Sequence, residues 1–239
     1  MTEVRPLARD AALSGLTVLL WLLLLSVALQ TALALGAPFL FVPPLVYLAG
    51  LALVIRYVGT RHPHPRFGAA NRITLARLAL TSVIAGLLGE DGDAVAWTAV
   101  GIAMIVTAFD GVDGWIARRR GTASAFGARF DMETDALLIL LLAALAAWLG
   151  KAGPWILLAG SLRYGFMAAG YRWPRLRAPL PPSKRRQTAC VLQIVTLIAC
   201  LMPWLPPSVS GPTAGLGLAF LCYSFWVDIG YLIRHAPSR

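Results

Sequence analysis

Apolar segments long enough to cross a bilayer recur along the whole chain of 239 residues. A helical span needs roughly 20 predominantly apolar residues. Eight such segments fall near residues 12–35, 39–58, 73–89, 94–117, 131–150, 154–171, 187–205 and 214–233. Their connections are short and rich in proline, glycine or charge, and no strand-like alternation appears. The sequence therefore predicts an all-α polytopic membrane protein with about eight transmembrane helices.

The composition excludes an ordinary soluble domain. The chain is 58% hydrophobic with a mean hydropathy of +0.71. Only 13% of its residues are charged, against about 25% in a typical soluble domain. The first apolar stretch is longer than the roughly 7–15 residues of a signal-peptide core. We therefore expect residues 1–35 to stay in the protein as an uncleaved helix.

The basic residues predict the orientation of the helices in the membrane. If the N-terminus lies in the cytoplasm, every Lys and Arg except Lys151 falls on or near the cytoplasmic side. Glu90, Asp91 and Asp93 then fall outside, which agrees with the positive-inside rule. The net charge of +10 is therefore attributed to topology, and no nucleic-acid partner is predicted. The loop around residues 118–130 is placed in the cytoplasm.

Four aspartates lie at the edges of two apolar segments. Asp110 and Asp113 are three residues apart, and Asp131 and Asp135 are four apart, so each pair lines one face of a helix. Carboxylates are costly near a membrane and repel one another, and a divalent cation relieves both effects. Oxygen-only ligands suit Mg²⁺, Mn²⁺ or Ca²⁺ and argue against zinc. A hard cation of this kind commonly serves phosphate chemistry, so the sequence predicts a metal site with Mg²⁺ or Mn²⁺.

The segment that contains the four aspartates, residues 110–135, resembles the signature of the CDP-alcohol phosphotransferase family, D-x2-D-G-x2-A-R-x8-G-x3-D-x3-D. The matching residues are Asp110, Asp113, Gly114, Ala117, Arg118, Gly127, Asp131 and Asp135. Upstream, NRITLAR, with Asn71, Thr74 and Arg77, is similar to the family's N-x-x-T-x-x-R. The resemblance covers residues 67–236. It implies a six-helix catalytic domain over 59–239, preceded by a two-helix membrane extension over 1–58.

The resemblance also implies a reaction and a set of roles. Family members move a substituted phosphate from a CDP-linked donor, often CDP-diacylglycerol, to an alcohol and release CMP. By resemblance Asp110, Asp113 and Asp131 hold the metal, and Asp135 contributes to that site and is the general base. The donor is bound by Asn71, Thr74, Gly114, Ala117, Arg118 and Gly127. A homodimer is typical of the family. The Ala-, Leu- and Arg-rich composition suggests a bacterial cytoplasmic membrane, with the active site facing the cytoplasm.

The acceptor is predicted only as a small polar alcohol, with phosphorylated alcohols such as glycerol 3-phosphate or inositol phosphate included. Arg163, inside an apolar segment, resembles the arginine of relatives that use a phosphorylated acceptor. Arg172 and Lys184 are further candidates for acceptor binding. Those relatives often carry an acidic residue where this chain has Tyr164, and their G-K-x-x-T-x-x-Q appears here only with altered spacing.

Three other readings of the chain remain open at this point. A cation- or proton-coupled transporter also places acids in membrane helices, but it does not require the glycine, alanine and arginine positions of the motif. A Mg²⁺-dependent membrane prenyltransferase usually has two separate aspartate clusters, and only one is found here. A binding relative without turnover is the third alternative. Outside the motif, Asp228 is predicted to pair with Arg234.

Overall fold

The structure is a computed structural model that describes residues 4–61, 66–119, 124–178, 180–181 and 183–235. Eight α-helices lie within these ranges: α1 (Val4–Leu33), α2 (Val42–Arg61), α3 (Ala69–Gly86), α4 (Asp93–Arg119), α5 (Ala125–Trp148), α6 (Leu158–Arg172), α7 (Lys184–Leu201) and α8 (Pro207–His235). Each helix overlaps one of the predicted segments, and the described residues contain no strand. The prediction of an all-α protein with about eight helices is confirmed.

Among the residues that the structure describes, four stretches are long and apolar enough to cross a membrane by length and composition: Leu7–Leu33, Ala37–Val58, Asp93–Val112 and Pro207–His235. Helix α6 has 15 residues, about 22 Å at roughly 1.5 Å per residue, which is shorter than the ~30 Å hydrocarbon core. In α3 and α5 the apolar stretches are interrupted by Arg77 and by the motif aspartates. The chain is an integral membrane protein in which charged residues of the motif interrupt the apolar stretches of α3 and α5.

The chain divides into two compact units, Met1–Leu137 and Leu138–Arg239, with the division inside α5. The predicted domain boundary between residues 58 and 59 stays a prediction. In the first unit α3 packs against α1, α2 and α4. Glycines permit this close approach, since a Cβ at Gly50 would lie 2.7 Å from the side chain of Leu78, and one at Gly86 would lie 2.6 Å from Pro43. Helix α3 is therefore enclosed by its neighbours along most of its length.

Asp10 links the N-terminal helix to the start of α3. Its Oδ2 accepts a hydrogen bond from the backbone N–H of Phe67 at 2.9 Å, and its Oδ1 pairs with Arg72 at 2.9 Å. Further along α1, the hydroxyl of Tyr47 on α2 donates to the carbonyl oxygen of Gly15 at 2.9 Å. Helix α1 is thus joined to both α2 and α3 by polar contacts as well as by packing.

In the second unit, Lys151 stabilises the end of α7. Its ammonium donates to the carbonyl oxygens of Met202, Pro203 and Leu205 at 3.1, 3.0 and 2.9 Å. Carbonyls that follow a helix have no partner within that helix, and a cation there satisfies them and complements the helix dipole. Lys151, the basic residue that is not predicted to lie on the cytoplasmic side, therefore has a structural role.

Asp228 does not pair with Arg234, so that prediction is wrong. Its carboxylate lies 2.5 Å from Arg185 and 3.8 Å from Arg186, both at the start of α7. Arg185 also donates to the carbonyl oxygen of Ser224. A separation of six residues puts Asp228 and Arg234 about 120° apart around α8, so the two side chains leave the helix on different faces. Asp228 and Arg234 are close in sequence, but the helix directs the Asp228 side chain to a partner on α7.

Replacing Lys151 with methionine should destabilise the protein, because three carbonyl oxygens would lose a charged donor. Hydrogen bonds to charged groups contribute roughly 1.5–3 kcal/mol, so a loss of about 2 kcal/mol should lower Tm by roughly 4–8 °C in a chain of this length. Thermal unfolding of the purified protein in detergent measures this. Arg234→Met, at an exposed position in the last turn of α8, is the matched control and should leave Tm nearly unchanged. Equal Tm values for the two variants would contradict the stabilising role of Lys151.

Candidate functional site

Three of the four motif aspartates meet in the first unit. Asp110 lies near the end of α4, and Asp131 and Asp135 lie in the second and third turns of α5. One carboxylate oxygen from each side chain lies within 4.8 Å of the others. All three residues are half-buried. The face of α4 that carries Asp110 therefore meets the face of α5 that carries Asp131 and Asp135.

The remaining residues of the signature on α4 are only partly described. Asp113, Gly114, Ala117 and Arg118 have helical backbone within α4. Beyond that backbone they lie outside the described residues. Their roles stay predictions.

A single arginine contacts all three carboxylates. Arg77, on α3, has a side chain that is only 1% exposed. Its Nη1 donates to Asp131 Oδ1, its Nη2 donates to Asp135 Oδ1, and Nη2 lies 3.0 Å from Asp110 Oδ1. A buried guanidinium requires such partners, because an unpaired charge away from water is strongly unfavourable. The acids and Arg77 therefore stabilise one another.

The charges of this cluster fit a divalent cation. Three carboxylates face one guanidinium, so negative charge is in excess among these four side chains. Hard cations bind oxygen ligands at about 2.0–2.6 Å, which places oxygens around one ion roughly 3–5 Å apart. The spread of 4.8 Å within the aspartate trio agrees with this geometry. The donor set contains only oxygen, as Mg²⁺ and Mn²⁺ prefer.

Asn71 and Thr74 precede Arg77 on α3 at spacings of six and three residues, and all three are buried. The Asn71 amide donates to the carbonyl oxygen of Phe67 at 2.5 Å, and the Thr74 hydroxyl donates to that of Ala70 at 3.1 Å. The two residues therefore form one stripe on α3 that leads to the carboxylate cluster.

Asn71 also meets Gly127, another predicted donor-binding residue, on α5. A Cβ at Gly127 would lie 2.9 Å from Asn71 Oδ1. Next to this contact the ring of Phe126 lies 6.4 Å from that of Phe67 and 6.1 Å from that of Phe130. The aromatic contacts hold the first turns of α5 against the start of α3. The structure thus brings Asn71 of the upstream motif next to Gly127 of the signature, and their assignment to donor binding stays a prediction.

The predicted acceptor residues lie in the second unit. Arg163 is half-buried on α6, Arg172 is exposed at the end of α6, and Lys184 is exposed at the first position of α7. The Arg172 guanidinium lies 6.0 Å from the ring centre of Trp173. The assignment of these three residues to acceptor binding stays a prediction.

Sequence reasoning missed the role of Arg77. It placed Arg77 in the upstream motif but assigned no function to it. The available signal was the spacing of Asn71, Thr74 and Arg77, which puts an arginine on the same stripe as two other polar residues inside an apolar helix. A charge so placed needs a partner of opposite sign, and the motif aspartates are the nearest such group in the chain's apolar segments.

A family model for CDP-alcohol phosphatidyltransferase matches residues 67–228. This range covers more than half of the chain. It contains the upstream motif on α3, the whole signature and the predicted acceptor residues. No solved structure matches the chain.

Two glycine-to-alanine substitutions should change stability in opposite directions. Gly127→Ala introduces a methyl group against Asn71, whose amide is held by Phe67, and such overpacking typically costs about 1–3 kcal/mol. Gly101→Ala on α4 meets no atom within 4 Å, and alanine is favoured over glycine in helices by roughly 0.8–1 kcal/mol. We expect a lower Tm for the first variant and an equal or higher Tm for the second. A Gly127→Ala variant as stable as the Gly101→Ala variant would show that α3 and α5 are not in close contact there.

Proposed function

The chain belongs to the CDP-alcohol phosphatidyltransferase family, and from this premise we propose that it transfers a phosphatidyl group from CDP-diacylglycerol to the hydroxyl of a small polar alcohol. The hydroxyl oxygen forms a bond to the phosphorus of the phosphatidyl group, the pyrophosphate bond breaks, and CMP leaves. The observation that carries the proposal is the cluster of Asp110, Asp131 and Asp135 inside the matched range. Membership in a transferase family favours this reading over the transporter and the prenyltransferase.

Asp110, Asp113 and Asp131 would hold Mg²⁺ or Mn²⁺, with Asp135 contributing to the same site. When bound, the cation neutralises charge on the pyrophosphate oxygens and polarises the phosphorus. The excess negative charge of the described carboxylates and their oxygen-only chemistry support this assignment. Asp113 is included because it lies one turn from Asp110 on α4.

Asp135 is proposed as the general base that takes the proton of the acceptor hydroxyl. Its side chain is 18% exposed, against 35% for Asp110 and 37% for Asp131. It is thus the most shielded carboxylate of the cluster, which limits competition from bulk water. Arg77 contacts its Oδ1, and a carboxylate can accept hydrogen bonds through both oxygens. A base must be within hydrogen-bond reach of the proton it removes, and the second oxygen is the candidate.

The donor's nucleotide would lie along the Asn71 and Gly127 contact. Gly127 has no side chain, so α5 approaches the amide of Asn71 closely, and the two predicted donor-binding residues lie side by side. Arg118 would neutralise phosphate oxygens, since guanidinium groups match phosphate geometry. The remaining donor-binding residues proposed are Thr74, Gly114 and Ala117.

The acceptor is proposed to be a small polyol, with phosphorylated forms such as glycerol 3-phosphate or inositol phosphate included. The cations Arg163, Arg172 and Lys184 would bind an acceptor phosphate. We further propose that the protein is a homodimer in a bacterial cytoplasmic membrane, with the reacting groups facing the cytoplasm. The distribution of Lys and Arg along the chain supports this orientation.

The test is release of CMP from CDP-diacylglycerol by the purified protein with Mg²⁺ or Mn²⁺. The acceptors offered are glycerol 3-phosphate, inositol phosphate, inositol, serine, choline and none. Release that depends on both a metal and one acceptor would establish the reaction and identify the alcohol. Binding of CDP-diacylglycerol without release for any acceptor would indicate a relative without turnover. Absence of both binding and release would contradict the proposal.

Asp135→Asn should abolish most of the CMP release, because an amide cannot take the hydroxyl proton. General-base catalysis contributes typically 10²–10⁴-fold, so we expect kcat to fall by about that factor. Binding of CDP-diacylglycerol, measured separately, should persist. Asp91→Asn, which makes the same change at an exposed position between α3 and α4, is the control and should retain full activity. Near-normal turnover by Asp135→Asn would exclude it as the base.

A further inference from the structure

Arg77 contacts one oxygen of each of the three carboxylates that would hold a metal ion. The Oδ1 atoms of Asp110, Asp131 and Asp135 all face its two terminal nitrogens. The guanidinium is 1% exposed, so it is a fixed part of this cluster and does not exchange with solvent. A cation that binds the cluster therefore meets a positive charge already in contact with its ligands.

We propose that Arg77 and the divalent cation compete for these three carboxylates, so that Arg77 sets the metal affinity of the site. Two effects act in the same direction. The guanidinium occupies one oxygen of each carboxylate, which leaves fewer acceptor sites for the cation. Like charges a few ångströms apart also repel strongly in a site shielded from water. Arg77 thus keeps the acids assembled in one place and weakens their hold on the ion.

The arrangement has a consequence for stability. Without the guanidinium, three half-buried carboxylates within 4.8 Å of one another would repel more strongly, and a bound ion would relieve that repulsion. Removing Arg77 should therefore make the fold depend on metal, while the metal itself binds more tightly. If Arg77 only filled space in α3, its removal would lower the stability of the fold without raising the affinity for metal.

The inference rests on the proposed function only in taking a divalent metal as the ligand of the cluster. The test uses Mn²⁺ alone, without donor or acceptor, and measures free Mn²⁺ by electron paramagnetic resonance during titration of chelator-treated protein. Arg77→Gln should bind Mn²⁺ about tenfold more tightly than the unmodified protein, or tighter still, because a competing charge is gone. Thermal unfolding should show a lower Tm in chelator and a larger rise in Tm on adding Mn²⁺.

Arg72→Gln is the matched control. Arg72 is on the same helix, but its side chain is 55% exposed and pairs with Asp10. Its removal should leave the Mn²⁺ affinity nearly unchanged, since an exposed charge is screened by solvent and salt. An equal gain in affinity in both variants would indicate a general charge effect and would overturn the role of Arg77.

The outcomes separate this inference from the proposed function. If the unmodified protein binds no Mn²⁺, the metal assignment and this inference both fail. If it binds Mn²⁺ and Arg77→Gln binds no more tightly, only the competition fails. Should Arg77→Gln not fold even with Mn²⁺, Arg77→Lys decides, because a lysine keeps the charge but lacks the planar fork that reaches several carboxylates. Tighter Mn²⁺ binding by Arg77→Lys supports the competition, and unchanged or weaker binding overturns it.

Discussion

The contact between Arg77 and three aspartates is the interaction on which the first unit depends. Neither side is stable alone, since the guanidinium is buried and the carboxylates repel one another. The pairing fixes the relative positions of α3, α4 and α5, because each of these helices contributes at least one charge. The same charges define where a metal and a pyrophosphate would be held. Stability and chemistry therefore draw on one set of side chains.

Helix α3 has to be held firmly for this contact to work, and much of its support lies outside the range of the family match. Leu78 packs on Gly50 of α2, one residue after Arg77, and Gly86 packs on Pro43. Asp10 of α1 accepts a hydrogen bond from Phe67 at the entrance to α3. The two N-terminal helices thus belong to the same compact unit as the aspartate cluster. Their structural contribution is to brace the helix that carries Asn71, Thr74 and Arg77.

Sequence reasoning succeeded where the determining interactions are local. The helices follow from apolar length, and the meeting of Asp131 and Asp135 on one face follows from their four-residue spacing. It failed where partners come from distant parts of the chain. Arg77 pairs with acids 33 to 58 residues away, and Asp228 pairs with Arg185, 43 residues away. Spacing along one helix indicates which residues share a face, but not which other helix that face meets.

Arg77 and Lys151 show two ways in which a membrane protein accommodates a cation in a shielded place. Lys151 donates to three backbone carbonyls that follow α7. Arg77 is surrounded by carboxylates, which are also ligands for divalent ions. Only the partners of Arg77 are therefore shared with a second ligand in the proposed metal site. Under the competition proposed above, Arg77 tunes the metal affinity of its site, whereas Lys151 stabilises the fold.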